Sequence, residues 1–195
     1  AHNCQGWSMI SPAPPVAIVE FFMQHRDHRP IATLLRPCVA CAENVFQDLA
    51  SALVDECDAH FGRFGNFLQW MQDELATIVA QARADVCAAI ANHVRIQEAY
   101  VFTDDPTFAR DWAAATCKAN ACCSGYAALI RSILGSYFAV VSAEIASVVP
   151  KLIVAGITTM LEGMHTLLGQ RLHVSDVRTL LLEADETEAL RRRLS

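Results

Sequence analysis

The chain has 195 residues and a net charge of −6, with no basic stripe to neutralise phosphates, so a nucleic-acid partner is excluded. Hydrophobic residues make up 53% and the mean hydropathy is +0.27, so some apolar surface meets a partner, a ligand or another copy of the chain. The length fits one domain, at most one with an appended helical tail.

Residues 1–13 read as an irregular N-terminal arm. Pro14-Pro15 opens a helix to about Arg26, because proline suits a first turn, with Val16, Val19, Phe22 and Met23 on one face. A second helical pattern runs from about Ile31 to Asp58, and Pro37 is expected to bend or restart it. Beyond Pro37, Val45, Phe46, Leu49, Leu53 and Val54 make a buried stripe. Gly62 and Gly65 break the chain. A long helix follows from about Asn66 to Tyr100, with Phe67, Trp70, Met71, Leu75, Ile78, Val79, Val86 and Ile90 inward.

Asp105-Pro106 reads as N-cap and first helical residue of a short helix through Thr116. Cys117 to Gly125 reads as a turn region. The pattern from Tyr126 to Val149 is strongly apolar; Pro150 interrupts it, helix resumes to about Leu168, and Gly169 stops it. Ser175 caps a last amphipathic helix within 170–195 that ends in Arg191-Arg192-Arg193, where the positive charge complements the helix dipole. No alternating run predicts a sheet, and no repeat is visible. Ser132–Leu161 contains only Glu144 and Lys151 as charges, yet Arg131, Glu144, Pro150 and Lys151 divide it into pieces shorter than the about 20 apolar residues of a membrane span. The segment therefore reads as a bundle helix or oligomer interface and the chain as not transmembrane.

Eight cysteines stand at Cys4, Cys38, Cys41, Cys57, Cys87, Cys117, Cys122 and Cys123. A chain of this size can bury a core without staples, so they point to cross-linking in an oxidising compartment or to thiol chemistry. The start Ala-His-Asn-Cys is how a mature secreted protein begins once its leader is removed.

Cys38, Cys41, Cys57 and His60 have zinc-like spacing, but one helix over 42–56 would hold the two pairs more than about 20 Å apart, too far to share an ion. Cys38 and Cys41 at a helix start could be a redox pair with a lowered thiol pKa. That fragment resembles the helical flavin-linked sulfhydryl oxidases, with Trp7 and Trp70 where that family has aromatics, although the flavin-holding histidine and asparagine pair is not recognisable after Trp70. His25 and His28 read as a solvated helix end, Asp104-Asp105 as a cap, and Glu183 to Glu188 as a wet helix face. Cys122 and Cys123 are too strained to bond each other and reach separate partners or bridge two chains.

Several fragments together resemble the stanniocalcin family of secreted, disulfide-rich helical hormones. They are Cys41-Ala-Glu43-Asn44, Cys57 with Phe61, Ile90-Ala-Asn92-His-Val94 after Cys87, Thr107-Phe108-Ala-Arg110, the Cys117/Cys123 pair, and the stretch from Tyr126 to Leu134. Gln47 and Asp105 fall where that family has two cysteines that bond each other. The resemblance implies bridges Cys4–Cys41, Cys38–Cys57 and Cys87–Cys117; the second conflicts with an unbroken helix from Ala42. The family's glycosylation signal and its late dimerising cysteine are absent.

The resulting expectation is an all-α, disulfide-cross-linked bundle forming a single domain over 1–195. Through the resemblance it is a secreted hormone or extracellular binding factor linked to calcium and phosphate homeostasis, and not an enzyme. It has no metal or cofactor, a protein partner or receptor, and a homodimer face in the apolar segment Tyr126–Leu168. The alternatives are a flavin-linked thiol oxidase using Cys38 and Cys41, and a helical carrier of an apolar ligand.

Overall fold

A computed structural model describes residues 20–23, 29–99, 103–121, 126–174 and 180–181. Among these residues the fold is all α, as the patterning predicts, and contains no strand. Four helices carry it: α1 (Leu35–Phe61), α2 (Gly65–Ala99), α3 (Pro106–Ala121) and α4 (Tyr126–Val174). A 3-10 turn, Ala32–Leu34, precedes α1, and residues 20–23 are helical.

The helix starts follow local chemistry. The expected bend or restart at Pro37 is not what starts α1: the helix begins at Leu35, directly after the 3-10 turn, and Pro37 lies in its first turn, where a missing N–H leaves no bond unmade. The α1–α2 turn closes through Gly62, whose N–H donates to the Asp58 carbonyl at 2.9 Å. A Cβ at Gly62 would lie 2.8 Å from that oxygen, so the tight reversal needs glycine. Asp105 caps α3: its Oδ1 accepts the Thr107 N–H at 2.7 Å and the Phe108 N–H at 3.4 Å. The predicted lost half-cystine position is thus a capping carboxylate.

Three boundaries differ from the sequence expectation. Helix α3 runs to Ala121, past Thr116. Helix α4 is continuous through Pro150, which costs one backbone hydrogen bond but does not end a helix held on both sides by packing. Gly169 is likewise interior to α4; a glycine costs only about 1 kcal/mol in a helix and stops one only where the chain also reverses. The predicted capped helix within 170–195 lies largely outside the described residues, as does the 1–13 arm.

By contact the chain divides into two compact units, Ala1–Arg36 with Ala91–Val149, and Pro37–Ile90 with Pro150–Ser195. In the first, α4 buries Leu129, Ile133, Tyr137, Val141, Ile145 and Val149, each four residues from the last. A row at spacing four turns about 40° per step, so the buried side moves about 200° around α4 over this stretch. Different neighbours therefore meet it in succession. Near its start, Phe108 of α3 packs edge-on against Tyr137 with ring centroids 5.7 Å apart, and Ser136 Oγ donates to Asp111 Oδ2 at 3.0 Å. Further along, Gln97 of α2 donates to Glu144 at 2.6 Å. Arg29 pairs with Glu98 at 3.1 Å, beside the fully buried Ile31.

In the second unit, Ala42 and Phe46 of α1, Phe67, Leu75, Ile78, Val79, Val86 and Ile90 of α2, and Ile153 and Met160 of α4 form the core. The inward face predicted for α2 is buried, with Trp70 and Met71 half-buried. The predicted α1 stripe is buried only at Phe46; Val54 is exposed, and Val45, Leu49 and Leu53 are half-buried. At Gly156 the backbone of α4 approaches α2 so closely that a Cβ would overlap Val86 Cγ2.

The cross-linking expected of the cysteines finds no support. Cys38, Cys41, Cys57, Cys87 and Cys117 are free thiols, and Cys4, Cys122 and Cys123 lie outside the described residues. The implied Cys38–Cys57 bridge is geometrically closed off. Both sit on the unbroken α1, about 28 Å apart along its axis, whereas bonded cysteines have Cα atoms under about 7 Å apart.

Candidate functional site

Three features of the described residues bear on function: the thiols, two hollows, and the outward face of α4. The thiols are poorly placed for redox work. Burial, and then the neighbouring Cys41, push the Cys38 thiol above its usual value, the reverse of the lowering that a redox cysteine at a helix start needs. Burial also raises Cys57, with Glu56 adding to it, and raises Cys87, where Glu43 adds and Arg83 opposes. The same α1 geometry separates Cys41 from Cys57 by about 24 Å, so the four residues with zinc-like spacing cannot converge. His60 instead contacts Glu56 one turn away, at 2.9 Å. Among the described residues no group of three His, Cys, Asp or Glu could hold a metal ion. His25, His28 and Trp7 lie outside the described residues.

A hollow of ≈ 790 Å³ in the first unit is bordered by Asp104, Asp105, Asp111 and Glu144. Three of these carboxylates already accept hydrogen bonds from the chain: Asp105 from the α3 backbone, Asp111 from Ser136, and Glu144 from Gln97. The bonds from Thr107, through its side chain and then its backbone, hold the Asp105 carboxyl below its ordinary value. These hydrogen bonds give three of the four carboxylates a structural role.

The second unit has a groove of ≈ 610 Å³ between α2 and α4, floored by small residues including Ala82, Ala89, Ala155, Gly156 and Gly163. The close approach at Gly156 forms its narrow point. Arg171 of α4 donates to Glu74 of α2.

The outward face of α4 is the least satisfied surface. By length and composition alone, Ala127–His173 is apolar enough to cross a membrane, with a window of mean hydropathy 1.8, of which only 22% is buried. Val154 is 62% exposed and Leu161 44% exposed. Lys151, Thr158, Glu162 and His165 stand exposed beside them. Sequence reasoning placed a dimer face within Tyr126–Leu168 but could not separate it from the core, because the buried row turns around the helix. It also missed that α4 is a single helix of 49 residues, against the roughly 8–20 of ordinary globular helices, whereas the 35-residue α2 matches the long helix expected from about Asn66 to Tyr100.

Two family models match the chain. Residues 28–116 match the dynamin central region, and residues 124–195 match the dynamin GTPase effector domain. No curated protein and no solved structure matches it. The first match ends within α3 and the second begins just before α4, and each compact unit draws helices from both matched regions. These matches overturn the stanniocalcin resemblance and the readings built on it: a secreted hormone, a removed signal peptide, and a role in calcium homeostasis. They equally displace the thiol oxidase, against which the raised Cys38 thiol also argues, and the apolar-ligand carrier. The short motifs behind that resemblance are ordinary helical residues: Cys41, Glu43 and Asn44 are exposed on α1, and Ile90, Val94 and Leu129 are apolar core positions, a pattern that many helical sequences fit. Taken in chain order, the two matched regions point to the dynamin family.

Proposed function

We propose that this chain is a non-catalytic, self-associating helical module of a dynamin-like, membrane-remodelling GTPase, and that it stimulates GTP hydrolysis rather than performing it. The observation that carries the reading is the pair of consecutive matches, central region then effector domain, over helices that pack together. Glu74 with Arg171, and Asp111 with Ser136, each join one matched region to the other. Such pairing favours a scaffold that transmits assembly to a GTPase, over two modules acting separately.

The sequence supports the non-catalytic part. Lys118 and Lys151 are its only lysines and neither follows a glycine, so these residues hold no phosphate-cradling Gly-Lys-Ser/Thr loop. Place and partners follow the family: cytoplasmic or membrane-associated, with other copies of the chain in the role first given to a receptor. We read α4 as an assembly helix and not a membrane span. Lys151 and Glu162 interrupt its apolar surface, and its buried row packs on α2 and α3.

The test adds the chain to a dynamin-family GTPase lacking its own effector domain and follows phosphate release. The expected result is a saturable rise in rate. An unchanged rate at saturating chain contradicts the proposal.

A further inference from the structure

We propose that the outward face of α4 from Lys151 to His165 joins two copies of this chain, their α4 helices antiparallel about a two-fold axis near Ile157 and Thr158. This deepens the self-association reading above and rests on it.

The argument starts from what is exposed. Val154 and Leu161 are seven residues apart, within about 20° of one another around the helix, and both are open to water. Ile157 lies between them, half-buried at the edge of the core. Flanking this strip on its solvent side are Lys151 and Glu162, eleven residues apart and again within about 20° of one another, about 16 Å along the axis. Both are exposed, and among the described residues neither has an ion-pair partner. An apolar centre with a polar margin is the anatomy of a protein interface.

The spacing then selects the partner and its direction. A second α4 running the opposite way presents Glu162 to Lys151 and Lys151 to Glu162 at the same separation. Val154 then meets Leu161, and Ile157 meets Ile157, across the axis. Such a surface is self-complementary, as a two-fold contact requires. A parallel pair would set lysine against lysine and glutamate against glutamate. A lipid surface fits less well, because sinking the strip into hydrocarbon would draw both charges after it. A single helix crossing buries less than the about 1,200 Å² of a stable dimer, so this contact alone is reversible.

The test uses the full chain in reducing buffer, with mass followed by light scattering over a range of concentration, and helix content checked for each variant. Lys151→Glu and Glu162→Lys are each expected to weaken association roughly tenfold, since each replaces two attractions by two repulsions. The double exchange is expected to restore it to within about threefold. Leu161→Glu is expected to weaken it further than either single reversal. A carbodiimide cross-link on a mixture of isotopically light and heavy chains should join Lys151 of one to Glu162 of the other; with only two lysines in the chain, the assignment is direct.

A wild-type chain that stays monomeric throughout removes the self-association reading and this inference together. Self-association that the double exchange fails to restore, or a cross-link confined to single copies, leaves that reading standing and refutes the antiparallel contact. Vesicle binding abolished by Leu161→Glu without any change in mass assigns the strip to lipid and likewise refutes it.

Discussion

Gly156→Ala probes whether the helices of the two matched regions fold against each other. An alanine Cβ there would overlap Val86 Cγ2 and approach Phe46 Cζ to 3.9 Å. Val86 is only 4% exposed and β-branched, so its side chain has no second rotamer to retreat into. Overpacking of this kind costs about 1–3 kcal/mol, and the better helix propensity of alanine offsets about 1 kcal/mol. The expected net loss is about 0–2 kcal/mol. Val86→Ala alone removes two buried methyl groups and leaves a hole, a loss of about 2–3 kcal/mol. Together the changes relieve one another, because the new Cβ occupies the space that Val86 vacates. Urea unfolding followed by far-UV circular dichroism should therefore show the double variant more stable than the sum of the singles by about 1 kcal/mol or more. A Gly156→Ala protein that is more stable than wild type, with strictly additive effects, would mean that α4 and α2 do not meet at Gly156.

Phe46→Ala should lower stability by about 3–5 kcal/mol, since this ring is 1% exposed in the core of the second unit; a loss under about 1 kcal/mol in the same assay would place the ring elsewhere. Asp105→Ala should destabilise α3 at neutral pH. Because the Asp105 carboxyl is held below its ordinary value of 3.8, its contribution is fully present above that value and disappears as pH falls through the lower folded value. The gap between wild type and variant in thermal melts should close on acidification, and a gap independent of pH would show that the carboxylate does not act as a cap. Among the described cysteines, Cys41 and Cys117 should react first with iodoacetamide, being exposed, and Cys38, Cys57 and Cys87 later, their thiols raised by burial. Peptide mass analysis showing these five already oxidised in protein from its native compartment would reverse the account of the sulfurs.

Most of the helical framework was legible in the sequence, and the reasons are specific. Leucine, isoleucine and valine at Leu75, Ile78, Val79, Val86 and Ile90 repeat on a single face, so one partner side and one periodicity describe α2. Asp105-Pro106 marks its helix start by chemistry that acts within three residues. Helix α4 resisted the same treatment because its buried row advances by fours and turns steadily. A pattern averaged over the helix looks apolar on every side, and the exposed Val154 and Leu161 cannot be told from Ile153 and Met160. Pro150 and Gly169 were read as breaks from their local preference alone, whereas packing along α4 decides the matter. The sulfurs misled for a related reason. Counting cysteines indicates a class of protein, but a bridge needs two of them close in space, and Cys38 and Cys57 share one straight element. The outward α4 face was not legible because its residues are ordinary ones, Val154 and Leu161 exposed among apolar neighbours.

The most direct test of the central claim, that these helices form an assembling scaffold without covalent links, is sedimentation velocity of the chain in reducing buffer as its concentration rises. The account predicts a sedimentation coefficient that climbs with concentration and returns on dilution. A single monomer boundary at every concentration, or larger species only when reductant is withheld, would contradict it.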